Sequence, residues 1–206
     1  MIRSAACAAL LACAAGFCLT APANAGTTVK TKTVNYTIKG TTGAALLEAM
    51  DSKGPRRGFT TRAIAQTAYT VGWDLDWYEK AGRCRVSVAD AVLNITFNYP
   101  ELGNALPPDV NRRWQRFMSG VRKHEEHHAQ LARAMVSAAE QAVRSASFDN
   151  DQGCRKTQAE IKRRIAKTYA IYEAKQVEFD RVEHSEGGNV DHLVSGLERV
   201  VAKQGG

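Results

Sequence analysis

Several features that define large protein classes are missing from this 206-residue sequence. Beyond an apolar N-terminal segment, no hydrophobic run approaches the ~20 residues that a membrane-spanning helix needs. There is also no internal repeat and no low-complexity linker, which excludes repeat architectures and a largely disordered chain. Hydrophobic residues make up 44% and charged residues 24% of the sequence. This composition predicts a soluble globular protein with a buried core and no membrane span after processing.

The N-terminal segment has the three parts of a secretory signal peptide. Arg3 supplies the positive charge, an apolar and alanine-rich run follows, and residues 23–25 form a small-residue cleavage site. We therefore predict a signal peptide over residues 1–25, export to the periplasm or beyond the cell, and a single mature domain over residues 26–206. A retained anchor helix is one alternative, and the cysteine-containing residues 11–13 offer a weaker lipoprotein-like cleavage site.

Cysteine becomes scarce once this segment is removed. Of five cysteines only Cys84 and Cys154 remain, which is too few for a framework of several disulfides. In an oxidising compartment two cysteines most simply form one bond, which here would close a loop of about 70 residues and contribute roughly 4 kcal/mol. A pair of thiolate metal ligands is the alternative, although neither cysteine has a near partner at ligand spacing.

Hydrophobic patterning predicts an α+β domain in which a small, mostly antiparallel sheet packs against two long helices. Strands are expected where apolar and β-branched residues alternate, at residues 27–38, 67–73 together with 77–78, 84–88 and 93–97. Helices are expected at residues 44–50, 110 to about 147, about 155 to 179, and 190–203. Asp109 is expected to cap the first long helix after a loop at residues 100–108. Residues 148–153 separate the two long helices.

His124, Glu125 and His128 form the pattern His-Glu-x-x-His on the first long helix. Histidines four residues apart lie on one helix face, so both imidazoles can bind one metal ion. Zinc accepts such nitrogens, and the adjacent glutamate can take a proton from water and return it to a leaving amine. Both histidines continue the apolar stripe of the helix, whereas His127 lies beside it. The pattern predicts one zinc ion and Glu125 as general base, with hydrogen-bonded core histidines as the alternative.

A third protein ligand has to come from another element. The position six residues after His128, where some zinc proteases carry a third histidine, is Ala134. If the second long helix packs antiparallel on the first, Glu173 lies about level with the second motif histidine. Asp180 lies one or two turns further on, and His184 follows in the next loop. The spacing alone leaves these three candidates open.

Several segments spread over most of the mature chain carry a family resemblance: residues 36–42, the helix ending at Gly54-Pro55, residues 67–73 and 84–86, Trp114-x-x-Phe117, the His-Glu-x-x-His motif, Cys154, and a Tyr-Asp…His-Gly-like segment represented by Phe179-Asp180 and His184-Ser185. Together they resemble a bacterial family of predicted secreted zinc-dependent proteases, known as domain of unknown function 922. The resemblance implies a zincin-like fold, hydrolysis of peptide bonds, and His184 as third zinc ligand with Asp180 as support or alternate. Phe179 stands where the family has tyrosine, and Val182 and Ser185 stand where it tends to have threonine and glycine.

Three functions remain in competition at this point. The first is a zinc metallopeptidase, in which residues 93–97 are expected to line the cleft and pair with an extended peptide or protein substrate. The second is a non-catalytic envelope protein whose metal site is structural or inactive, with a closed shell of four protein ligands. The third is a basic module that binds anionic envelope polymers or nucleic acid, motivated by a net charge of +6 once residues 1–25 are removed. Its basic residues, such as Arg112-Arg113 and residues 162–164, are scattered among acidic ones, so no nucleic-acid partner is expected.

Overall fold

The computed structural model describes residues 26–57 and 61–199. The predicted signal peptide and the last residues of the predicted final helix lie outside these ranges. The strands are β1 (Thr28–Ile38), β2 (Arg56–Arg57), β3 (Thr61–Arg62), β4 (Gln66–Lys80), β5 (Arg83–Leu102) and β6 (Ser147–Phe148). The helices are α1 (Gly43–Lys53), α2 (Pro108–Arg144), α3 (Arg155–Glu183) and α4 (Asn189–Glu198), with a short 3-10 turn at Gln152–Cys154.

The strand β5 lies at the centre of a mixed four-stranded sheet. It pairs in parallel with β1 and antiparallel with β4 and with the short β6. The described part of the chain is therefore an α+β fold with four helices, as the patterning predicts. The sheet is mixed because α1 and β4 intervene between β1 and β5, and a connection of this length allows two strands to run in parallel.

The strands β4 and β5 form one long hairpin, whereas the patterning predicts several shorter strands. They run for 15 and 20 residues, with one irregularity between Asp76 and Trp77. The sequence pattern weakens near Ala89 because alanine is a poor strand former. In the fold Ala89 is fully buried and packs with Val143 and Ile161 of the long helices. Tertiary packing therefore overrides local propensity at this point.

The predicted loop at residues 100–108 begins later than expected, because β5 continues through Pro100. The strand β4 pairs with β5 only as far as Asn98, so β1 is the neighbour that remains beyond that residue. At Pro100 the central strand is thus locally an edge strand. Proline lacks an N–H and is tolerated at such a position.

The long helices pack antiparallel over the inner face of the sheet. Apolar residues of α2 such as Phe117 and Val136 join Leu93 and Ile95 of β5 in the main core. The expected cap of α2 is wrong: Pro107 occupies the cap position, and the carboxylate of Asp109 instead accepts a hydrogen bond from Arg113. Within the described ranges, no helix combines the length and hydrophobicity needed to cross a bilayer.

The helix α4 crosses the first half of α2 at a glycine. A Cβ atom on Gly120 would lie 2.3 Å from Cδ2 of Leu193, so a larger residue would push the two helices apart. In the sequence, Gly120 is the residue that argues against an unbroken helix. In the fold α2 runs through it without interruption, and the glycine lets α4 come close enough to form a wall of the site described below.

The disulfide lies at the end of the α2–α3 pair where α2 ends and α3 begins. Cys84 and Cys154 are bonded as predicted, with Cα atoms 5.4 Å apart, and they join the beginning of β5 to the beginning of α3. Asp151 holds the same junction, since its carboxylate accepts hydrogen bonds from the backbone N–H groups of Lys156 and Thr157 at 2.9 and 2.8 Å. This end of the helix pair is therefore fixed covalently and by hydrogen bonds.

Candidate metal centre

Three side chains converge where α2 and α3 approach each other. His124 and His128 lie one turn apart on α2, and Asp180 lies opposite them on α3. The two Nε2 atoms are 3.2 Å apart, and Oδ1 of Asp180 lies 2.9 Å from Nε2 of His128 and 3.4 Å from Nε2 of His124. Among the described residues, these three form the group whose ligating atoms are close enough to share one cation.

The spacing of these three atoms suits a tetrahedral zinc ion. Zinc bonds of about 2.0–2.2 Å to nitrogen and oxygen place neighbouring ligands of a tetrahedron about 3.3–3.6 Å apart. The separations of 3.2, 2.9 and 3.4 Å are within a few tenths of an ångström of that range. Two imidazole nitrogens and one carboxylate oxygen are also donors that zinc accepts. The donor types and the spacing of these residues therefore fit a zinc ion, of which they would be three of the four ligands.

Gln176 of α3 fixes the orientation of His128. Its amide Nε2 donates a hydrogen bond to the backbone oxygen of His128 at 3.1 Å, which sets the direction of the amide group. Its Oε1 therefore faces Nδ1 of the same histidine, at 2.5 Å, and accepts the proton of that nitrogen. This tautomer leaves the Nε2 lone pair directed to the three-atom group, as a metal ligand requires.

The protonation of His128 depends on the same neighbours. Burial disfavours the charged imidazolium, but the hydrogen bonds to Asp180 and Gln176, with the charge of Asp180, outweigh burial and raise the His128 pKa above its ordinary value. In the protein without metal, a proton on this histidine is therefore stabilised by the carboxylate. A metal ion would take the place of that proton.

His124 is more deeply buried than His128 and Asp180, with 8% of its surface exposed. Its Nδ1 has no hydrogen-bond partner within the described residues and lies 3.6 Å from Oε2 of Glu183. A carboxylate beside the second ring nitrogen is a common arrangement around metal-binding histidines. Phe179 stacks on the ring of His124 and on the ring of His127, at centroid distances of 4.9 and 4.0 Å. His127 thus packs against Phe179 beside His124, His128 and Asp180, and is not one of these three candidate ligands.

Glu125 is buried beside the group, with 5% of its surface exposed. The hydroxyl of Thr67, on β4, donates a hydrogen bond to Oε2 of Glu125 at 2.7 Å, and the same hydroxyl oxygen lies 2.9 Å from the backbone oxygen of Glu125. The sheet therefore fixes one carboxylate oxygen. The sequence identifies Thr67 only as the beginning of a strand, because nothing in its local pattern links it to a residue 58 positions away.

A cleft of about 770 Å³ opens in front of these side chains. Its walls come from residues 62–69, from α2 and α3, and from α4. The three candidate ligands and Glu125 line one part of it, and Phe117, Val121 and Leu193 line an apolar part. The centre is therefore open to a ligand with both polar and apolar groups.

His184 lies next to His124 but is not one of the three residues whose ligating atoms are close enough to share a cation. The helix α3 continues four residues beyond its predicted end, so His184 is its C-cap residue instead of lying in a loop. Its ring contacts that of His124 at a centroid distance of 5.3 Å, and its Nδ1 lies 2.9 Å from the backbone oxygen of Asp180. Glu173 lines the same cleft, but the residues of α3 that meet His128 are Gln176 and Asp180.

Residues 93–97 do not line the cleft, contrary to the prediction. Leu93, Ile95 and Phe97 are buried in the core, and β5 is paired on both sides in this stretch. The first residues of β4 and the segment before them form the strand wall of the cleft instead. The reason is the sheet order, which places β5 in the centre and β4 at an edge.

The chain belongs to a bacterial family, since the family model described as "Bacterial protein of unknown function (DUF922)" matches residues 33–188. The matched range includes Thr67, the His-Glu-x-x-His motif, Gln176 and Asp180. No curated protein and no solved structure gives a significant match. The family description assigns no activity, so the function has to be inferred from the site.

Proposed function

We propose that the protein is a zinc-dependent peptidase of the zincin type, acting on peptides or proteins outside the cytoplasm. The observation that carries the proposal is the arrangement of three ligating atoms within 3.4 Å of one another beside a buried glutamate in an open cleft. Export rests on the predicted signal peptide, and the disulfide is compatible with it.

His124, His128 and Asp180 would hold the ion. Zinc bound there supplies Lewis-acid chemistry, which makes water a nucleophile at neutral pH and polarises a carbonyl group. Gln176 holds one of the imidazoles in the tautomer that binds metal. In this proposal Asp180 takes the role that the family resemblance gives to His184, because its carboxylate oxygen already lies among the ligand atoms.

Glu125 is the general base of the proposed reaction. Its Oε2 accepts the Thr67 hydrogen bond, which leaves Oε1 to take a proton from the attacking water. The same carboxylic acid then delivers the proton to the nitrogen of the leaving amine. Thr67 is a positioning residue, because its hydroxyl acts on the reaction through the carboxylate of Glu125.

The strand β4 is suited to hold an extended peptide. It is an edge strand of the described sheet, and its first residues line the cleft beside Glu125. A substrate segment can add to such an edge through backbone hydrogen bonds, with side chains entering pockets on either face. This supports a peptide as the substrate over a small amide, which has no backbone to pair.

The test compares two adjacent glutamates. Zinc-loaded protein and the variants Glu125→Gln and Glu126→Gln are incubated with an unfolded protein substrate, and cleavage products are measured by mass spectrometry. Glu126 is the matched control, since it is partly exposed and pairs with Arg133 on the helix surface. We expect Glu125→Gln to bind one zinc ion and to lose activity by about 100-fold or more. Full hydrolysis by a folded, zinc-containing Glu125→Gln protein would exclude the proposed mechanism.

A structural metal site is the second candidate, and the position of His184 favours it. Its ring contacts that of His124 and lines the cleft, which makes it the nearest further histidine to the three ligating atoms among the described residues. A closed shell of four protein ligands is characteristic of structural zinc. Under this reading His184→Ala lowers both zinc affinity and stability, whereas in the peptidase it leaves zinc bound.

A further inference from the structure

A second cavity, of about 490 Å³, lies between the first turns of α2 and the helix α4. Phe117 and Leu193 line both this cavity and the cleft, so the two cavities are neighbours. The remaining lining residues are Asp109, Arg112, Arg113, Arg116, His192, Gly196, Leu197 and Arg199. We refer to this second cavity as the α2–α4 groove.

The α2–α4 groove has an excess of cations. Arg112, Arg116 and Arg199 are exposed, and no carboxylate pairs with any of them within residues 26–57 and 61–199. The acid that lines the groove, Asp109, is already bound to Arg113 at 3.0 Å, and Arg113 also donates to the backbone oxygen of Leu197. Three guanidinium groups therefore face the groove without a neutralising partner in this part of the chain.

The position of these arginines opposes helix stability. Arg112 and Arg116 lie four residues apart on α2, a spacing at which like charges repel. A like-charged pair with no partner among the described residues departs from local consistency, and such departures are expected at functional sites.

Gly196 provides an independent observation from the other wall. It lies inside α4, where glycine is less favourable than alanine. A Cβ atom built on it has no heavy atom within 4 Å, so packing does not require a glycine here as it does at Gly120. His192 lies four residues before it on the same helix face, and Arg199 follows the end of α4; both line the groove. The missing side chain keeps the groove open between Arg199 and the arginines of α2.

We propose that the α2–α4 groove binds a phosphate-bearing anion. Guanidinium groups bind phosphate oxygens in pairs, and three of them, together with an imidazole, match the two charges of a phosphate better than the single charge of a carboxylate. The ligand is either a soluble phosphorylated molecule or the phosphate of an anionic lipid headgroup. The groove does not require the zinc site to be catalytic.

The test uses two probes: inorganic phosphate, titrated against ¹⁵N-labelled protein by NMR at constant ionic strength, and phosphatidylglycerol-containing vesicles in a sedimentation assay. The variants are Arg112→Ala/Arg116→Ala and, as a matched control, Lys162→Ala/Lys167→Ala, which removes two exposed cations from α3. We expect phosphate to shift the amides of Gly196 and its neighbours. The arginine variant should bind about tenfold more weakly and the lysine variant within about twofold of the unmodified protein.

Further outcomes separate the proposal from simpler accounts. The arginine variant should have an unchanged or higher Tm, because it relieves repulsion, so weaker binding cannot reflect unfolding. Gly196→Glu, which places a carboxylate in the groove, should also abolish binding. Binding of phosphate alone assigns the groove to a soluble ligand, and binding of vesicles alone assigns it to a lipid headgroup. Equal weakening by both double variants, shifts confined to the zinc cleft, or no binding of either probe would overturn the proposal.

Discussion

The two ends of the α2–α3 pair are built from different interactions. At the disulfide end, apolar residues such as Val143 and Ile161 pack together, in addition to the Cys84–Cys154 bond and the hydrogen bonds that Arg164 of α3 donates to the end of α2. At the other end, the contacts between the same helices are polar, with His128 facing Gln176 and Asp180. Apolar contacts stabilise without fixing directions, whereas hydrogen bonds fix the direction of each group. One end therefore holds the helices together, and the other end positions side chains.

This division predicts that stability and metal binding separate along the helix pair. Changes at the disulfide end should alter the free energy of unfolding and leave metal affinity unchanged. Changes at the polar end should alter metal affinity strongly and the free energy of unfolding much less. Four variants or conditions test the separation, and they follow from the largest expected effect to the smallest.

Asp180→Ala removes a proposed ligand and should have the largest effect. We expect zinc affinity to fall by more than about 100-fold, beyond what the loss of a supporting partner causes. The measurement is competition with a chromophoric chelator. Glu173→Ala is the matched control, since Glu173 is an exposed acid of the same helix that lines the same cleft. Equal affinities for both variants would show that Asp180 is not a ligand.

Cys84→Ser combined with Cys154→Ser tests the disulfide end of the helix pair. The bond spans a sequence separation of 70 residues, so its loss should reduce the free energy of unfolding by roughly 4 kcal/mol. Urea denaturation measures this change, with the reduced unmodified protein as control. Zinc affinity at a temperature where the variant is folded should stay within about twofold. A large loss of zinc binding would contradict the division between the two ends.

Gln176→Leu removes the partner of His128 and keeps the approximate volume of the side chain. Loss of such a partner typically lowers metal affinity by about 10- to 100-fold. The same chelator competition detects this change, and Gln158→Leu, on the same helix and outside the cleft lining, is the control. A variant that binds zinc as tightly as the unmodified protein would show that Gln176 has no role in orienting the ligand.

The pH dependence of the metal-free protein should show the smallest effect. Because the folded-state pKa of His128 is raised, its contribution to stability is fully present below the unfolded pKa and is lost as pH rises through the folded value. The Tm should therefore fall across this window near and above pH 6.5. Asp180→Asn should reduce the fall, which thermal unfolding at several pH values can measure. An unchanged pH profile in that variant would contradict the pairing.

Local sequence patterns correctly predicted the structural features that depend on residues close together in the chain. The apolar stripe predicted α2, and the spacing of His124 and His128 placed both imidazoles on one of its faces. The turn between β4 and β5 and the break before α3 are also where glycine and polar residues indicate them. These features follow from the 3.6-residue period and from turn chemistry, so one chain is enough to predict them.

Contacts between distant residues were outside the reach of those patterns. Asp180 lies 52 residues from His128, and only the register of α3 on α2 decides that it meets the two histidines while Glu173 does not. The same reason applies to Thr67, which reaches Glu125 from the sheet, and to the central position of β5, which follows from its pairing with β1. Helix register and strand order are set by packing, which no local spacing encodes.

The most direct test of the central claim is a crystal structure of the zinc-loaded protein with an anomalous difference map at the zinc edge. We expect one strong peak, within about 2.0–2.2 Å of Nε2 of His124, Nε2 of His128 and a carboxylate oxygen of Asp180. A peak bound by His184 in place of Asp180, or no peak between α2 and α3, would contradict the metal centre described above.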